Sequence, residues 1–300
     1  MAQLLLLAAL DGLAYAALIF LVAVGLTLIF GVLRVLNVAH GSFYAIGAYT
    51  AASLGLWIAA AGISPWLSFP ALLLSAVLVG GVLGALIERV LLQRVYGREE
   101  VLQLLVTFAV FMILEDVQRL VWGVRPIFVD TPLGLLGLLE VGGIVYTRYQ
   151  LLLLPLAALA VLLGLRFFLR RTLQGRVIVA VTADREAAMA MGVNANRVYL
   201  LTFVLGAIFA ALGGALASPT TSLVPGLGTE IIVLSFAVVA TAGLGQVEGA
   251  AVAALLIGLG RSFAVYLYPE LQVVMPYLIM VVVLLIRPQG LFGAVEARRV

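Results

Sequence analysis

A short polar motif interrupts the apolar N-terminal part of this 300-residue chain at Asn37-Val38-Ala39-His40-Gly41-Ser42. A serine beside a histidine is a pairing that can activate a nucleophile in hydrolases. Here His40 and Ser42 are two positions apart, and on a helix that spacing points the two side chains to different faces. We therefore expect no catalytic residue and no enzyme activity. Two alternatives remain for Asn37, His40, Gly41 and Ser42: capping of a broken helix, or lining of a pathway.

A second motif, rich in glycine, lies near the other end of the sequence and reads G-L-G-Q-V-E-G from Gly243 to Gly249. Its candidate pathway residues are Gly243, Gly245, Gln246 and Glu248. Glu248 has two interpretations: a counter-charge for the ammonium group of a transported molecule, or a carboxylate paired with an arginine elsewhere. Paired interruptions of apolar sequence, one in each half of a chain, are an indication of a translocation pathway.

The third polar region is a charged, alanine-rich segment between two long apolar runs, V-T-A-D-R-E-A-A-M-A-M-G. Small residues on a short helix can face a groove of a partner protein, and a glycine readily ends such a helix. Taken alone, the pattern is typical of an ordinary surface helix, whereas its position in a long inward loop favours contact with a partner. The candidate coupling residues are Asp184, Glu186, Ala187, Ala188 and Gly192.

Several kinds of site are disfavoured by the residues that the sequence lacks. The chain has no cysteine and one histidine, so disulfides and thiolate metal sites are excluded and a histidine metal site is improbable. It has no lysine, which a Walker-type ATP site requires, so we expect no cofactor in this chain. The formal net charge is +3, but the arginines cluster at the ends of apolar runs, and we therefore expect no nucleic-acid binding.

The elements that position these motifs are membrane-spanning helices. Hydrophobic residues make up 65% of the sequence, charged residues 10%, and the mean hydropathy is +1.24, values typical of an integral membrane protein in a lipid bilayer. We predict an all-α polytopic membrane protein with a single transmembrane domain over residues 1–300. The predicted spans are Gly12–Leu33, Phe43–Ala61, Leu67–Ile87, Val101–Leu120, Gln150–Leu169, Val198–Ala217 and Leu271–Ile286.

Arginine placement predicts the orientation of these spans, because short cytoplasmic loops carry an excess of arginine and lysine. Most arginines fall on one side, including those of a loop at about residues 170–197, and the C-terminus shares this cytoplasmic side. The segment Ile231–Gly260 must then enter the membrane and return, and thirty residues are too few for two full crossings. We predict a pair of half-length helices broken at Gly243–Gly249. The first helix lacks a basic leader and cleavage site, so we expect it to be retained.

These motifs together resemble the permease subunits of bacterial branched-chain amino acid ABC importers of the LivH type. The N-x-A-H-G core at Asn37, the coupling segment from Arg170 to Gly192, and the run from Gly243 to Gly249 occur in that family's order. The resemblance implies an ABC-importer permease fold in the bacterial inner membrane. It also implies four partners: a second, LivM-like permease, two cytoplasmic ATP-binding subunits that bind the ATP, and an external substrate-binding protein.

Two departures from the family pattern keep alternatives open. After Gly192 the sequence lacks the I-x-L-P ending of the general importer motif, and Gln246 and Glu248 stand where a small residue and a proline are common. The predicted function is inward translocation of branched-chain amino acids. The alternatives are a urea or short-amide ABC importer permease and a stand-alone secondary transporter or channel, although the uncharged stretch from Val35 to Ile87 argues against the last.

Overall fold

The computed structural model describes residues 1–293, and within that range the fold is helical with one small β-hairpin. This confirms the predicted all-α polytopic class. The elements, in chain order, are α1 (Ala2–Leu33), α2 (His40–Ala60), α3 (Pro65–Val95), α4 (Glu100–Trp122), α5 (Thr131–Leu135), β1 (Leu138–Val141), β2 (Ile144–Thr147), α6 (Tyr149–Arg171), α7 (Leu173–Ala183), α8 (Arg185–Ala190), α9 (Ala195–Ala217), α10 (Leu227–Ala242), α11 (Val247–Leu267) and α12 (Met275–Ile286).

Six helices of the described chain are long and apolar enough to cross a membrane: α1, α2, α3, α6, α9 and α11. The seven predicted spans fall in α1, α2, α3, α4, α6, α9 and α12. Helix α4 has 23 residues but carries acidic and basic side chains, whereas α10 and α12 have only 16 and 12 residues. The predicted cytoplasmic C-terminus lies outside the described residues, as do Arg298 and Arg299, on which part of the orientation argument rests.

The lengths of α10 and α11 differ from the predicted pair of half-length helices. Helix α11 extends along most of α1, because Gly245, just before it, packs on Gly31 and its Ser262 hydroxyl donates to the Ala8 carbonyl at 2.7 Å. The predicted re-entrant segment ended at Gly260 and did not include Arg261. The helix continues through Arg261 because its guanidinium lies over the ring of Tyr15, 4.2 Å from the ring centre.

The chain turns back alongside α1 in the connection between α1 and α2. Helix α1 ends where Arg34 adopts a left-handed conformation with a φ of 56°, and α2 then begins at His40, whose Nε2 lies 2.9 Å from the carbonyl oxygen of Val22. The exposed backbone of the connection needs partners inside the protein. Thr107 of α4 supplies them: its hydroxyl donates to the Leu36 carbonyl at 3.0 Å and accepts from the Val38 N–H at 3.3 Å.

Helix α1 is the centre of the bundle, and it contacts α6, α9, α10 and α11. Close approach depends on glycines, as is common where membrane helices pack without a hydrophobic driving force between them. A β-carbon at Gly206 of α9 would lie 2.7 Å from the carbonyl oxygen of Gly25 in α1, and Gly214 packs on the backbone of Tyr44 in α2. Helices α3 and α6 lie at the periphery, where much of their surface faces outward.

We expect Gly206→Ala to destabilise the protein by about 1–3 kcal/mol, because its β-carbon would also lie 2.6 Å from Cγ1 of Ile29. The matched control is Gly164→Ala in α6, where a β-carbon meets nothing within 4 Å and alanine improves helix propensity. Thermal unfolding of the purified variants in detergent measures both effects. Equal shifts for the two variants would contradict the packing argument.

Candidate functional site

The first polar motif lies at the N-terminus of α2, beside the middle of the long apolar helix α1. Val22, which His40 contacts, is separated by 11 or 12 residues from Asp11 and from Arg34, about 17 Å along α1 in each direction. Asn37, His40 and Ser42 are fully buried. The amide of Asn37, Nδ1 of His40 and Oγ of Ser42 have no hydrogen-bond partner among residues 1–293.

Two further buried hydroxyls within the described range also lack a partner: Thr202 of α9 and Ser235 of α10. Both helices pack close to the start of α2, since Phe203 stacks edge-on against Phe43 and Gly228 of α10 contacts the backbone of Gly41. Buried polar groups in proteins are almost always hydrogen-bonded. The core around α2 therefore offers donors and acceptors that no protein group in the described chain uses.

The glycine-rich motif forms the connection between α10 and α11. Gly243 and Gly245 have φ angles of 97° and 80°, values that favour glycine. The last carbonyls of α10, those of Thr241 and Ala242, accept hydrogen bonds from the N–H groups of Leu291 and Phe292, both at 2.9 Å. The segment after α12 therefore supplies the hydrogen-bond donors that the carbonyls at a buried helix end require. Gln246 precedes α11 and is partly buried.

Glu248 lies in the first turn of α11 and forms a salt bridge with Arg170 at the end of α6, with 3.1 Å between Nη2 and Oε1. The two side chains are 45% and 61% exposed, which places the pair at the protein surface. This geometry corresponds to the alternative in which Glu248 pairs with an arginine. Its contact with a transported molecule stays a prediction.

The alanine-rich segment forms helix α8, which is capped at both ends. Asp184 accepts a hydrogen bond from the Ala187 N–H at 2.9 Å, as an N-cap residue does. Gly192, with a φ of 86°, follows the helix, and the next N–H, of Val193, donates to the Ala188 carbonyl at 3.1 Å. Asn194 then caps α9 by accepting from the Arg197 N–H.

Helix α8 presents one face to the protein and the other to its surroundings. Ala188 is 8% exposed and packs into the core, whereas Glu186, Ala187 and Gly192 are exposed. The guanidinium of Arg185 lies over the ring of Tyr199 in α9, 5.5 Å from its centre, which ties α8 to a spanning helix. A partner could therefore contact Glu186 and Ala187, but not Ala188.

Three cavities, which the sequence motifs did not indicate, lie along α1 and beside α10 or the loop that follows it. They are named outer, middle and inner according to the orientation that the arginine distribution predicts. The outer cavity has a volume of about 380 Å³ and contains three charged residues, Asp11, Glu230 and Arg261. A middle groove of about 300 Å³ has an almost wholly apolar lining. An inner cavity of about 430 Å³ contains Arg34 and Glu100. The groove shares three lining residues with the inner cavity: Phe30, Leu36 and Leu244.

The eight candidate pathway residues are not among those that line these three cavities. The signal that could have located the outer cavity was Arg261, a charge within the apolar run of α11, because ionisable residues in membrane helices are usually functional. The predicted re-entrant segment Ile231–Gly260 stopped just short of Glu230 and Arg261, so neither was considered a site residue. Asp11 was also missed, because the first predicted span began after it.

Asp11 links three parts of the outer cavity. Its carboxylate accepts hydrogen bonds from the hydroxyls of Tyr146, in β2, and Tyr266, in α11. Burial and, next, the hydrogen bond to Asp11 raise the pKa of Tyr146 far above its ordinary value, so this phenol stays protonated as a donor. The hairpin is thereby held against α1 and α11.

The sequence matches the model of a family described as branched-chain amino acid transport system / permease component over residues 8–284. Curated relatives include the high-affinity branched-chain amino acid transport system permease protein LivH of Escherichia coli K12, 28% identical over 93% of this chain and 92% of that protein. BraD of Pseudomonas aeruginosa, named as a permease protein of the same kind of system, is 28% identical over 97% and 96% of the two chains. No solved structure matches this chain.

We expect His40→Ala to lower the free energy of unfolding by about 1–3 kcal/mol, because it removes the bond between α2 and the Val22 carbonyl. Ser42→Ala is the matched comparison: its hydroxyl has no partner in the described chain, so we expect a change within about 0.5 kcal/mol. Unfolding in detergent measures both. A larger loss for Ser42→Ala than for His40→Ala would overturn this account.

Proposed function

Because the chain belongs to the permease component family of branched-chain amino acid transport systems, we propose that it carries branched-chain amino acids inward as the membrane subunit of an ABC importer. The supporting observation is the family match over residues 8–284 in a chain with six candidate membrane spans. The curated relatives are all named as branched-chain amino acid transport permeases. The bacterial inner membrane is the corresponding location.

The proposed importer contains the partners that the family resemblance implies. A second permease, similar or identical to this one, completes the pathway, and an external binding protein delivers the amino acid. Two cytoplasmic ATP-binding subunits hydrolyse ATP, since this chain has no lysine for a nucleotide phosphate site. The chain's own part is to provide the pathway and to respond to those subunits.

Helix α8 is the proposed contact with an ATP-binding subunit. Its exposed face is small and polar at Glu186 and Ala187, and its two caps make it a short rigid body. Closure of the ATP-binding subunits would displace α8, and the Arg185–Tyr199 contact would pass that displacement to α9. Since α9 packs tightly on α1 and α2 through glycines, a rigid-body movement of α9 would reach the pathway.

The three cavities along α1 and α10 are the proposed side of the pathway that this chain provides. Polar cavities at the outer and inner ends suit the charged groups of an amino acid, and the apolar groove between them suits an aliphatic side chain. Asn37, His40 and Ser42 are buried where α2 begins, next to Val22 of α1. We propose that they position the break between α1 and α2, around which the helices would move.

The direct test is uptake of labelled leucine by proteoliposomes containing this chain with its companion permease, ATP-binding subunits and binding protein. We expect uptake that requires ATP and that excess urea does not reduce, because the cargo is an aliphatic amino acid. Uptake independent of ATP would contradict the ABC mechanism. Competition by urea would contradict the proposed substrate while leaving the transporter class intact.

We expect Ala187→Trp to reduce ATP-driven leucine uptake about tenfold or more, because the indole would separate α8 from its partner. Ala187 is exposed, so the permease itself should stay folded. Ala160→Trp in α6, another exposed alanine, is the matched control and should transport as the wild type does. Co-purification of the ATP-binding subunits gives a second readout. Full uptake by Ala187→Trp would exclude α8 as the contact.

A further inference from the structure

The charged residues of the outer cavity differ in what they contact. The carboxylate of Asp11 accepts hydrogen bonds from the hydroxyls of Tyr146 and Tyr266. Arg261 and Glu230, in contrast, form no hydrogen bond between side chains and no salt bridge with any residue of the range 1–293, although the guanidinium of Arg261 rests on Tyr15. Glu230 is exposed and Arg261 is partly buried. Ionisable residues on membrane helices are usually functional, so two unpaired groups of opposite charge that line one cavity indicate a ligand site.

We propose that the outer cavity binds an α-amino acid zwitterion, with its carboxylate on Arg261 and its ammonium group on Glu230. This assignment rests on the proposed transport function and identifies where the cargo first enters this chain. A guanidinium can bind a carboxylate through two parallel hydrogen bonds, and a carboxylate accepts from an ammonium group. A simple cation would leave Arg261 without a counter-charge, and a simple anion would leave Glu230 without one.

The positions of the two residues fit such a ligand. On α10, Leu227, Glu230 and Ile231 are three and four residues apart, so they share one face that lines the cavity. On α11, Arg261, Ser262 and Val265 line it in the same way. The zwitterion would therefore lie between the two helices, with its charged groups held by one residue from each.

The rest of the cavity suits an aliphatic side chain. Leu18, Leu227 and Ile231 contribute apolar lining next to the charged pair. Glu230 and Val233, three residues apart on α10, share a face, and Val233 lines the middle groove. A volume of about 380 Å³ lies within the range of about 300–1,000 Å³ that is usual for small-molecule sites. The side chain of a bound amino acid would thus point toward the apolar groove.

The assignment is tested by equilibrium binding to the membrane complex of the two permeases and the two ATP-binding subunits in lipid nanodiscs, without ATP and without the binding protein. The probes are leucine, leucinol, which lacks the carboxylate, and 4-methylpentanoate, which lacks the ammonium group. We expect Arg261→Gln to weaken leucine binding about tenfold or more but to leave leucinol unaffected. Glu230→Gln should weaken leucine equally and leave 4-methylpentanoate unaffected. Unchanged binding of the analogue also shows that the variant is folded.

Arg119→Gln is the matched control, since Arg119 pairs with Glu115 on α4 and does not line the cavity. It should bind all three probes as the wild type does. The proposal is overturned if leucine does not bind, or if each variant affects leucine and both analogues alike. ATP-driven uptake of leucine distinguishes failure of this site from failure of the proposed function. If the wild-type complex takes up leucine and neither Arg261→Gln nor Glu230→Gln alters that uptake, only the site is refuted. If the wild-type complex shows no ATP-driven uptake, the proposed function is refuted.

Discussion

Every backbone N–H and carbonyl group of a membrane-embedded segment must find a partner within the protein, and this requirement determines where the present chain can break its helices. The connection between α1 and α2 is possible because the Thr107 hydroxyl donates a hydrogen bond to the Leu36 carbonyl and accepts one from the Val38 N–H. The connection between α10 and α11 is possible because Leu291 and Phe292 donate to the end of α10. Each break thus depends on a distant element, and each leaves a helix end close to the proposed pathway.

The same dependence on close backbone contact makes the centre of the bundle rigid. Gly25 and Gly206 bring α1 and α9 together, and Gly214 brings α9 against α2. A displacement of α9 cannot easily be absorbed by side-chain rearrangement where backbones touch. In the proposed mechanism, the helix that would receive a displacement from α8 is therefore also the helix best placed to move the proposed pathway as a unit.

Composition and the length of apolar runs were sufficient to predict the class, most of the spans and both breaks, because these depend on local hydropathy and on glycine. The length of α11 was not predictable, since it depends on Tyr15 covering Arg261 from another helix. The outer cavity was missed for a related reason: Asp11, Glu230 and Arg261 are far apart in sequence. The segment containing α8 was recognised, but only packing distinguishes buried Ala188 from exposed Ala187.

The hydrogen bonds that close α10 also impose an order on how the protein can assemble. Thr241 and Ala242 leave the ribosome well before Leu291 and Phe292, which are their partners. During synthesis the end of α10 must therefore remain in contact with water, lipid headgroups or the insertion machinery, because the residues that donate hydrogen bonds to its carbonyls have not yet been synthesised. Only after α12 has entered the bilayer can the following residues fold back, so the glycine-rich break is completed last, by a post-insertion step.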